Sequence, residues 1–358
     1  MKILFLSHNF YPFIGGIEAN SDVLSRAFFK AGHEIHILTW TEDSGENIFP
    51  FPIIRNPSLI QLLKEHKWAD LVFENNPCLR LSWPNLFYNH PSVIALNTWV
   101  ARIDGKVGVH GKIGIQDRLK FLWFKRANKV IAVSDAIRKH SFPPAIVIGN
   151  PFQADIFKVM PEIAKTSAFV FLGRLVSNKG ADQAIKAIQK LLLLDKKEKF
   201  LSFKPSLTII GDGPEKTKLE QMVIDLNIED YVYFTGPLRG NDIAVCLNKH
   251  RYLLVPSLWE EPFGNVVLEG MACGCLPIVS DGGGLPDAIG DAGLSFARGN
   301  TDALVSCIRK VLDNPDLEQQ LRNAAKTHLA KHYPNIVSQC YLEVVEAAVS
   351  KKAIKANS

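Results

Sequence analysis

The chain has 358 residues, 47% of them hydrophobic and 22% charged, which is the composition of a globular protein with a large core. Its 24 glycines and 20 prolines are near-average numbers that exclude a fibrous repeat, and a net charge of +5 does not by itself indicate a nucleic-acid partner. No apolar run is long enough to span a membrane, and the first residues lack a secretory pattern. We therefore expect a cytoplasmic protein whose six cysteines are free thiols.

The first 151 residues alternate between short apolar runs and helical or irregular segments. Lys2–Ser7 is predicted to be a buried strand, and a loop containing Gly15 and Gly16 leads from it into a helical pattern. Further strands are predicted at His33–Leu38, Asp70–Phe73, Ser92–Leu96, Lys129–Val133 and Ala145–Ile148. This alternation favours an open parallel sheet with helices on both faces.

The pattern restarts after Gly149-Asn150-Pro151, which predicts a domain boundary near residue 151. Strands are predicted at Phe169–Leu172, Ser206–Ile210, Tyr231–Phe234, Tyr252–Val255, Leu276–Ser280 and Gly293–Phe296. From Thr301 onward, breaks at Pro315 and Pro334 divide the chain into two or three helices. Residues 1–151 and 152–334 are therefore predicted to form two doubly wound, Rossmann-like α/β domains.

Two cations follow the first predicted strand of the second domain. Arg174 and Lys179 lie in Gly-Arg-Leu-Val-Ser-Asn-Lys-Gly, between that strand and the next helical pattern. Ligands of such sheets bind outside the carboxyl ends of the strands, and cations beside a helix N-terminus favour a diphosphate. A solvated basic loop is the alternative interpretation.

Two glutamates lie eight residues apart in Glu-Pro-Phe-Gly-Asn-Val-Val-Leu-Glu. We expect Glu261 at the mouth of a site and Glu269 about one turn inside a helix that begins near Asn265. Carboxylates accept paired hydrogen bonds from vicinal hydroxyls, so this spacing suits a sugar and a ribose; a capping carboxylate and an exposed helix charge give the same pattern. The sequence has no Asp-x-Asp and no cluster with metal-ligand spacing, so neither a metal nor another cofactor is expected.

The Arg174/Lys179 loop, Gly-Asp-Gly-Pro at 211–214, the E-x7-E run and Gly-Gly-Leu-Pro-Asp at 283–287 together resemble the retaining glycosyltransferases of the GT-B fold and GT4 type. The resemblance spans nearly the whole chain. It implies two Rossmann-like domains facing across a cleft, an N-terminal domain on the acceptor side (1–151) and a C-terminal domain that binds the nucleotide-sugar donor (152–334). The last helix (335–358) would cross back onto the N-terminal domain. It also implies transfer of a sugar, with retention, from a nucleotide-diphosphate sugar to a glycan, glycolipid or polysaccharide precursor.

The same resemblance implies roles for individual residues. Arg174 and Lys179 would bind the donor diphosphate and Glu269 its ribose. Glu261 would contact hydroxyls of the donor sugar. The further donor-site residues that it implies are Gly15, Gly16, Gly211, Pro237, Leu238, Phe263, Gly264, Asn265 and Val266. The residues expected at the chemistry are Asn97, Glu261, Arg174 and Lys179, with the leaving phosphate helping to deprotonate the acceptor.

The chain departs from the family pattern at one position. Members often carry a histidine at the end of the strand that corresponds to Ser92–Leu96, and here Asn97 stands there. An amide can hydrogen-bond a sugar hydroxyl but cannot titrate near neutral pH, so the departure puts activity in doubt unless the reaction needs no protein base. His8 and His110 are the possible substitutes, although a lone histidine is more often structural.

Residues 117–129 mix aromatic and basic side chains. On a helix this pattern favours contact with an anionic membrane surface, and between Ala101 and His140 ten Lys and Arg face three Asp. The alternative is that Phe121, Trp123 and Phe124 partly enter the core.

Three functions remain open from the residues. The first is the glycosyltransferase. The second is a nucleotide-sugar epimerase of the same fold, and the third is a catalytically weak or silent protein that binds nucleotide sugars, supported by Asn97 alone. The pattern names no nucleotide, sugar, acceptor or oligomeric state, and no nucleic-acid-binding motif is present.

Overall fold

The computed structural model describes residues 1–12, 16–43, 49–100, 102–103, 106–107, 114–199, 201 and 203–356. The chain divides into two compact units. The first consists of Met1–Pro151 with Pro334–Ser358, and the second of Phe152–Tyr333. Each unit is built on its own parallel sheet.

The elements of the first unit up to its boundary are β1 (Lys2–Ser7), α1 (Gly16–Lys30), β2 (Glu34–Thr39), β3 (Ile53–Arg55), α2 (Leu59–Trp68), β4 (Leu71–Asn75), α3 (Leu79–Ser82), α4 (Asn85–Tyr88), β5 (Ser92–Leu96), β6 (Arg102–Ile103), β7 (Lys106–Val107), α5 (Ile115–Arg126), β8 (Lys129–Ala132), α6 (Asp135–Ser141) and β9 (Ile146–Val147). The sheet has the order β3-β2-β1-β4-β5-β8-β9, and β6 and β7 pair separately as a short antiparallel hairpin.

The elements that follow are β10 (Ser167–Leu172), a 3-10 turn (Ser177–Lys179), α7 (Ala181–Glu198), β11 (Leu207–Ile210), α8 (Lys216–Asp225), β12 (Val232–Gly236), α9 (Gly240–Asn248), β13 (His250–Val255), α10 (Asn265–Ala272), β14 (Leu276–Ser280), α11 (Leu285–Ile289), β15 (Leu294–Phe296), α12 (Thr301–Leu312), α13 (Pro315–Ala330) and α14 (Pro334–Ala356). The sheet of the second unit has the order β12-β11-β10-β13-β14-β15.

In both sheets the order in which the chain adds strands changes side at one point. Neighbouring strands are parallel throughout each sheet, and the chain winds outward in one direction from β1 or β10 and in the other from β4 or β13. The loops that leave the two adjacent strands therefore diverge and open a crevice at their carboxyl ends, where ligands of doubly wound sheets bind. The predicted pair of doubly wound α/β sheets is confirmed.

The last helix, α14, completes the core of the first unit. Val337, Tyr341 and Val345 are almost fully buried, and they pack with β1 and α1 residues such as Phe5 and Phe28 on one face of the sheet. The helices α2 and α3 cover the other face, over a smaller cluster. The predicted breaks at Pro315 and Pro334 each coincide with the first residue of a helix, because proline is compatible with the first turn.

Two further segments of the first unit contain short strands that the sequence pattern did not predict. Thr41–Pro57 includes β3, which pairs with β2 at the edge of the sheet. Val100–Ile115 includes the β6–β7 hairpin, while residues 101, 104–105 and 108–113, including His110, lie outside the described residues. Within the described part of the chain, no helix combines the length and the apolar character needed to cross a membrane.

Candidate functional site

The crevice of the second sheet brings together one predicted cation and one predicted carboxylate. Lys179 follows β10 and Glu261 follows β13, the two strands at the point of reversal. The Nζ atom of Lys179 lies 2.6 Å from Oε1 of Glu261, and the same oxygen accepts a hydrogen bond of 3.0 Å from Ser257 Oγ. The Lys179 side chain is one-third exposed, whereas Glu261 is nearly buried. The pair is therefore a fixed polar group at the floor of the crevice.

Backbone contacts hold the two loops together. The carbonyl of Asn178 accepts hydrogen bonds from Leu258 N at 2.9 Å and from Ser257 Oγ at 3.2 Å. Gly180 has φ of +76°, and a Cβ there would lie 1.9 Å from the carbonyl oxygen of Pro256. Only glycine fits this crossing, so the sequence places a glycine where the Lys179 loop must touch the β13 loop.

A second glycine fixes the loop that carries Arg174. Gly211 follows β11 with φ of +143°, and a Cβ there would lie 1.9 Å from the carbonyl oxygen of Gly173. Leu175 N donates to Asp212 O at 2.9 Å, so the two loops lie edge to edge. Arg174 is exposed, and no described side chain pairs with it. Its guanidinium is available to an anionic ligand.

Glu269 lies in the second turn of α10, which begins at the predicted Asn265. Burial raises the pKa of the Glu269 carboxyl to about 7. Glu269 is partly exposed, and no described residue donates a hydrogen bond to its carboxylate, although a desolvated carboxylate without a donor is unfavourable. A missing donor at this position is the arrangement expected of a group that a ligand satisfies.

The residues at the start of α10 differ in conformation and in exposure. Gly264 has φ of +108° and a Cβ there would lie 2.6 Å from Leu285 Cδ2, so it sets the entry into α10. The Phe263 side chain is 2% exposed and packs with its ring centroid 5.6 Å from that of His332, and its part in shaping a donor pocket stays a prediction. Asn265 and Val266, at the first turn of α10, are partly exposed.

Pro237 and Leu238 follow β12, at the edge of the sheet and two strands away from β10. Pro237 is exposed and Leu238 partly buried. They share the carboxyl edge with the Lys179–Glu261 pair but do not belong to its hydrogen-bond network. Their assignment to a nucleotide base stays a prediction.

In the first unit, Asn97 belongs to a buried polar network at the point where the sheet reverses. It is 7% exposed, its Nδ2 donates to Asn75 Oδ1 at 2.6 Å, and its Oδ1 accepts from Asn20 Nδ2 at 3.2 Å. Asn75 in turn donates to the Ser21 hydroxyl at 2.5 Å. These bonds join the carboxyl ends of β4 and β5 to the start of α1, so the amide has a structural use that the sequence did not reveal.

Gly16, the first residue of α1, lies just beyond the carboxyl end of β1 and is exposed. Gly15 lies outside the described residues. A helix N-terminus at this edge suits an anion, but the role of both glycines at the donor phosphates stays a prediction.

Helix α5 contains most of the segment 117–129, and its aromatic side chains point inward. Phe124 is fully buried, and Trp123 Nε1 donates to the buried carboxylate of Glu74 at 2.7 Å. The exposed face carries Leu119 and Leu122, which are 51% and 59% exposed, among basic residues. An aliphatic and basic face therefore replaces the aromatic face that the sequence suggested.

Several groups that build these sites escaped the sequence analysis. Ser257 and Asn178 act through a hydroxyl and a backbone carbonyl, for which composition carries no signal. Glu74 has its pKa raised to about 7 by burial and accepts a hydrogen bond from Cys78 N at 2.9 Å. The only signal for Glu74 was its position next to the end of an apolar strand.

Residues 152–328 match the family model described as Glycosyl transferases group 1. The chain is 27% identical over 346 residues to the gpi3 subunit of phosphatidylinositol N-acetylglucosaminyltransferase of Schizosaccharomyces pombe, covering 86% of this chain and 72% of that protein. It is 28% identical over 346 residues to an uncharacterised glycosyltransferase of Methanocaldococcus jannaschii, covering 91% and 92% of the two chains.

Solved structures share the fold. HepE of Anabaena, in a crystal structure with UDP and glucose, has a TM-score of 0.75 and 19% identity, covering 97% of this chain and all of that one. Sucrose-phosphate synthase of Thermosynechococcus elongatus has a TM-score of 0.74 and 18% identity over the full length of both chains.

Proposed function

We propose that this chain, whose residues 152–328 match the glycosyl transferases group 1 family and which has the GT-B fold, transfers a hexosyl group from a nucleotide-diphosphate sugar to an acceptor hydroxyl with retention of configuration. The observation that carries the proposal is the Lys179–Glu261 pair in the crevice of the second sheet, with Arg174 and Glu269 unpaired among the described side chains.

The charges suit a departing diphosphate. Its negative charge grows as the bond to the sugar breaks, and fixed cations stabilise that change. Lys179 is held by Glu261, so donor binding adds a second anion to a lysine that is already oriented. The exposed guanidinium of Arg174 supplies a planar second partner. We propose that these two cations neutralise the diphosphate without a metal, and that added EDTA leaves turnover unchanged.

Each carboxylate then takes one part of the donor. Glu261 is oriented by Lys179 and Ser257, and its second oxygen can accept a hydrogen bond from the donor sugar. Glu269 has no donor among the described residues, and vicinal ribose hydroxyls supply two. Gly211 and Gly264 keep the backbone free of side chains beside these groups, and Pro237 and Leu238 lie at the same edge for the base.

The acceptor is proposed to be a glycan or a lipid-linked precursor. The fission-yeast relative is named for phosphatidylinositol, which is a lipid-linked acceptor class. With Asn97 tied into its network, the proposed reaction relies on the leaving phosphate and not on this amide to accept the proton. Asn97 then acts by positioning the start of α1.

The first test is a thermal-shift panel with UDP, GDP, ADP and their common sugars. A donor at roughly 100 times its dissociation constant should stabilise the fold by about 2.7 kcal/mol. Glu269→Ala should lose this response, whereas Glu229→Ala, which removes an exposed carboxylate of the same unit, should keep it. A nucleotide-dependent shift of the melting temperature in both variants would remove Glu269 from the site. The absence of a shift with every nucleotide would overturn the proposal. Product analysis then separates transfer from epimerisation.

We also propose peripheral contact of α5 with an anionic membrane. Leu119 and Leu122 are exposed beside Lys125 and Arg126, which is the combination that binds anionic interfaces. The wild type should sediment with phosphatidylglycerol vesicles and stay in the supernatant with phosphatidylcholine vesicles. Leu119→Ser with Leu122→Ser should release the protein, whereas Leu193→Ser, at an equally exposed leucine of α7, should not. Equal binding of all variants would exclude α5 as the contact.

A further inference from the structure

A second crevice lies in the first unit, at the carboxyl edge of its sheet. It is an open pocket of about 450 Å³ between residues that follow β1 and β4, the strands at the point of reversal, and one face of α5. His8 comes from the end of β1, Pro77 from the end of β4 and Leu119 from α5. The pocket lies where doubly wound sheets bind ligands, and no residue proposed for the donor lines it.

The charged side chains that line the pocket are both cationic. Arg80 and Lys120 contribute to its wall, and no carboxylate does. The Arg80 guanidinium lies 4.9 Å from the Trp40 ring centre, so an aromatic face holds it in place, and no described carboxylate pairs with it. Lys120 lies 3.3 Å from Asp117, which neutralises part of its charge. The pocket is therefore suited to an anion, with Arg80 as the principal partner.

The remaining wall is apolar and continues onto an exposed surface. Pro77, Leu79 and Leu119 line the pocket, and Leu119 is 51% exposed. Leu122, one turn further along α5, is 59% exposed on the outside. An apolar group bound in the pocket can therefore extend along α5. The imidazole of His8 is exposed, has no partner among the described residues, and can hydrogen-bond a hydroxyl of the same ligand.

We infer that this pocket binds the acceptor, and that the acceptor is an organic phosphate carried on an apolar group. The phosphate lies against Arg80 and Lys120, and the apolar group lies along Leu79 and Leu119. The inference rests on the proposed function for its role in transfer, but the ligand class follows from the pocket alone. A phosphate gains paired hydrogen bonds from a guanidinium, and the apolar wall adds affinity that inorganic phosphate cannot use.

Calorimetric titration with octyl phosphate, without nucleotide, tests the ligand class. Octyl phosphate should bind more tightly than both inorganic phosphate and octanol. Arg80→Gln should lower the affinity for octyl phosphate by about tenfold or more because the charge-assisted contacts are lost. Leu119→Ser should weaken the binding of octyl phosphate and leave the affinity for inorganic phosphate unchanged. Equal affinity for octyl phosphate and octanol, or for octyl phosphate and inorganic phosphate, would overturn the inference.

Two arginine variants identify the site that is titrated. Arg26→Gln is the matched control, because Arg26 also lies over an aromatic ring, 4.4 Å from the Phe49 ring centre, but on α1. It should leave octyl phosphate binding unchanged. Arg174→Gln removes a proposed donor-site cation and should also leave it unchanged. Loss of binding in Arg174→Gln but not in Arg80→Gln would assign the probe to the donor site and overturn the inference.

The same preparations separate this inference from the proposed function. Nucleotide should still shift the melting temperature of Arg80→Gln, and octyl phosphate should still bind to Glu269→Ala. If octyl phosphate binding depends on Arg80 but no nucleotide shifts the melting temperature, the proposed function is overturned and the ligand class of the pocket stands. A nucleotide response without octyl phosphate binding would do the reverse.

Discussion

At the scale of single residues, Glu269 couples the site to the stability of the fold. Desolvation raises the pKa of its carboxyl to about 7 in the folded chain, whereas the pKa of an exposed glutamate is about 4.3. Below the lower value the group is protonated in both states. Above the upper value it is ionised in both, and the folded state carries a partly desolvated charge without a hydrogen-bond donor. Its effect on stability is therefore unfavourable at high pH and vanishes as the pH falls.

Glu269→Gln should accordingly stabilise the ligand-free protein by about 1–3 kcal/mol near pH 8 and change little near pH 4. Thermal denaturation across this range measures the difference between the variant and the wild type. Glu229→Gln, at an exposed position of the same unit, should show no such pH dependence. A gain of the same size at both pH values would show that packing, and not ionisation, explains the effect.

Lys179 and Glu261 should behave as a coupled pair. Lys179→Met removes the cation 2.6 Å from Glu261 and leaves that nearly buried carboxylate without its charge partner, so we expect a loss of about 1–3 kcal/mol of stability. Turnover should fall by about 100-fold or more. Adding Glu261→Gln should restore stability but not turnover. A double variant as unstable as Lys179→Met would contradict the coupling, and full turnover in Lys179→Met would remove Lys179 from the chemistry.

At the scale of elements, glycines set the loop crossings. Gly211→Ala places a Cβ 1.9 Å from a backbone oxygen, and we expect it to destabilise the fold by more than about 2 kcal/mol and to weaken nucleotide binding. Gly236→Ala is the matched control, because Gly236 also has positive φ, +73°, but nothing lies within 4 Å of its added Cβ. Urea unfolding compares the two variants. Equal losses would show that the conformation alone, and not the crossing, requires glycine.

The strands were predictable because buried parallel strands are continuous apolar runs. Ser92–Leu96 and Leu276–Ser280 have the predicted bounds, while the edge strand β3 was missed because it has only three residues and follows a proline. Motif spacing located the cations and carboxylates of the candidate site. The Asn97 network was not predictable, since it joins β4, β5 and α1 through residues as much as 77 positions apart. Only the folded chain determines such pairings.

At the scale of the whole molecule, the first unit depends on a helix that follows the second unit in the chain. Tyr341 of α14 is 1% exposed, and its ring centroid lies 6.2 Å from that of Phe73. Tyr341→Ala should destabilise the first unit by about 3–5 kcal/mol. Hydrogen exchange should accelerate in β1 and β4 but not in β10 and β13. Ile336→Ala, at a 44% exposed position of the same helix, should change neither sheet, and uniform acceleration in both sheets would contradict separate units.

This dependence on α14 also sets an order of events during synthesis. The ribosome delivers residues 1–151 first, yet the face of their sheet that α14 covers stays open until residues 334–356 emerge. All residues of the second unit leave the exit tunnel before that, and they form a core without α14. The half of the protein that is made first is therefore finished last. Throughout that interval the nascent chain presents an uncovered apolar sheet, and chaperones that bind such surfaces have their longest opportunity there.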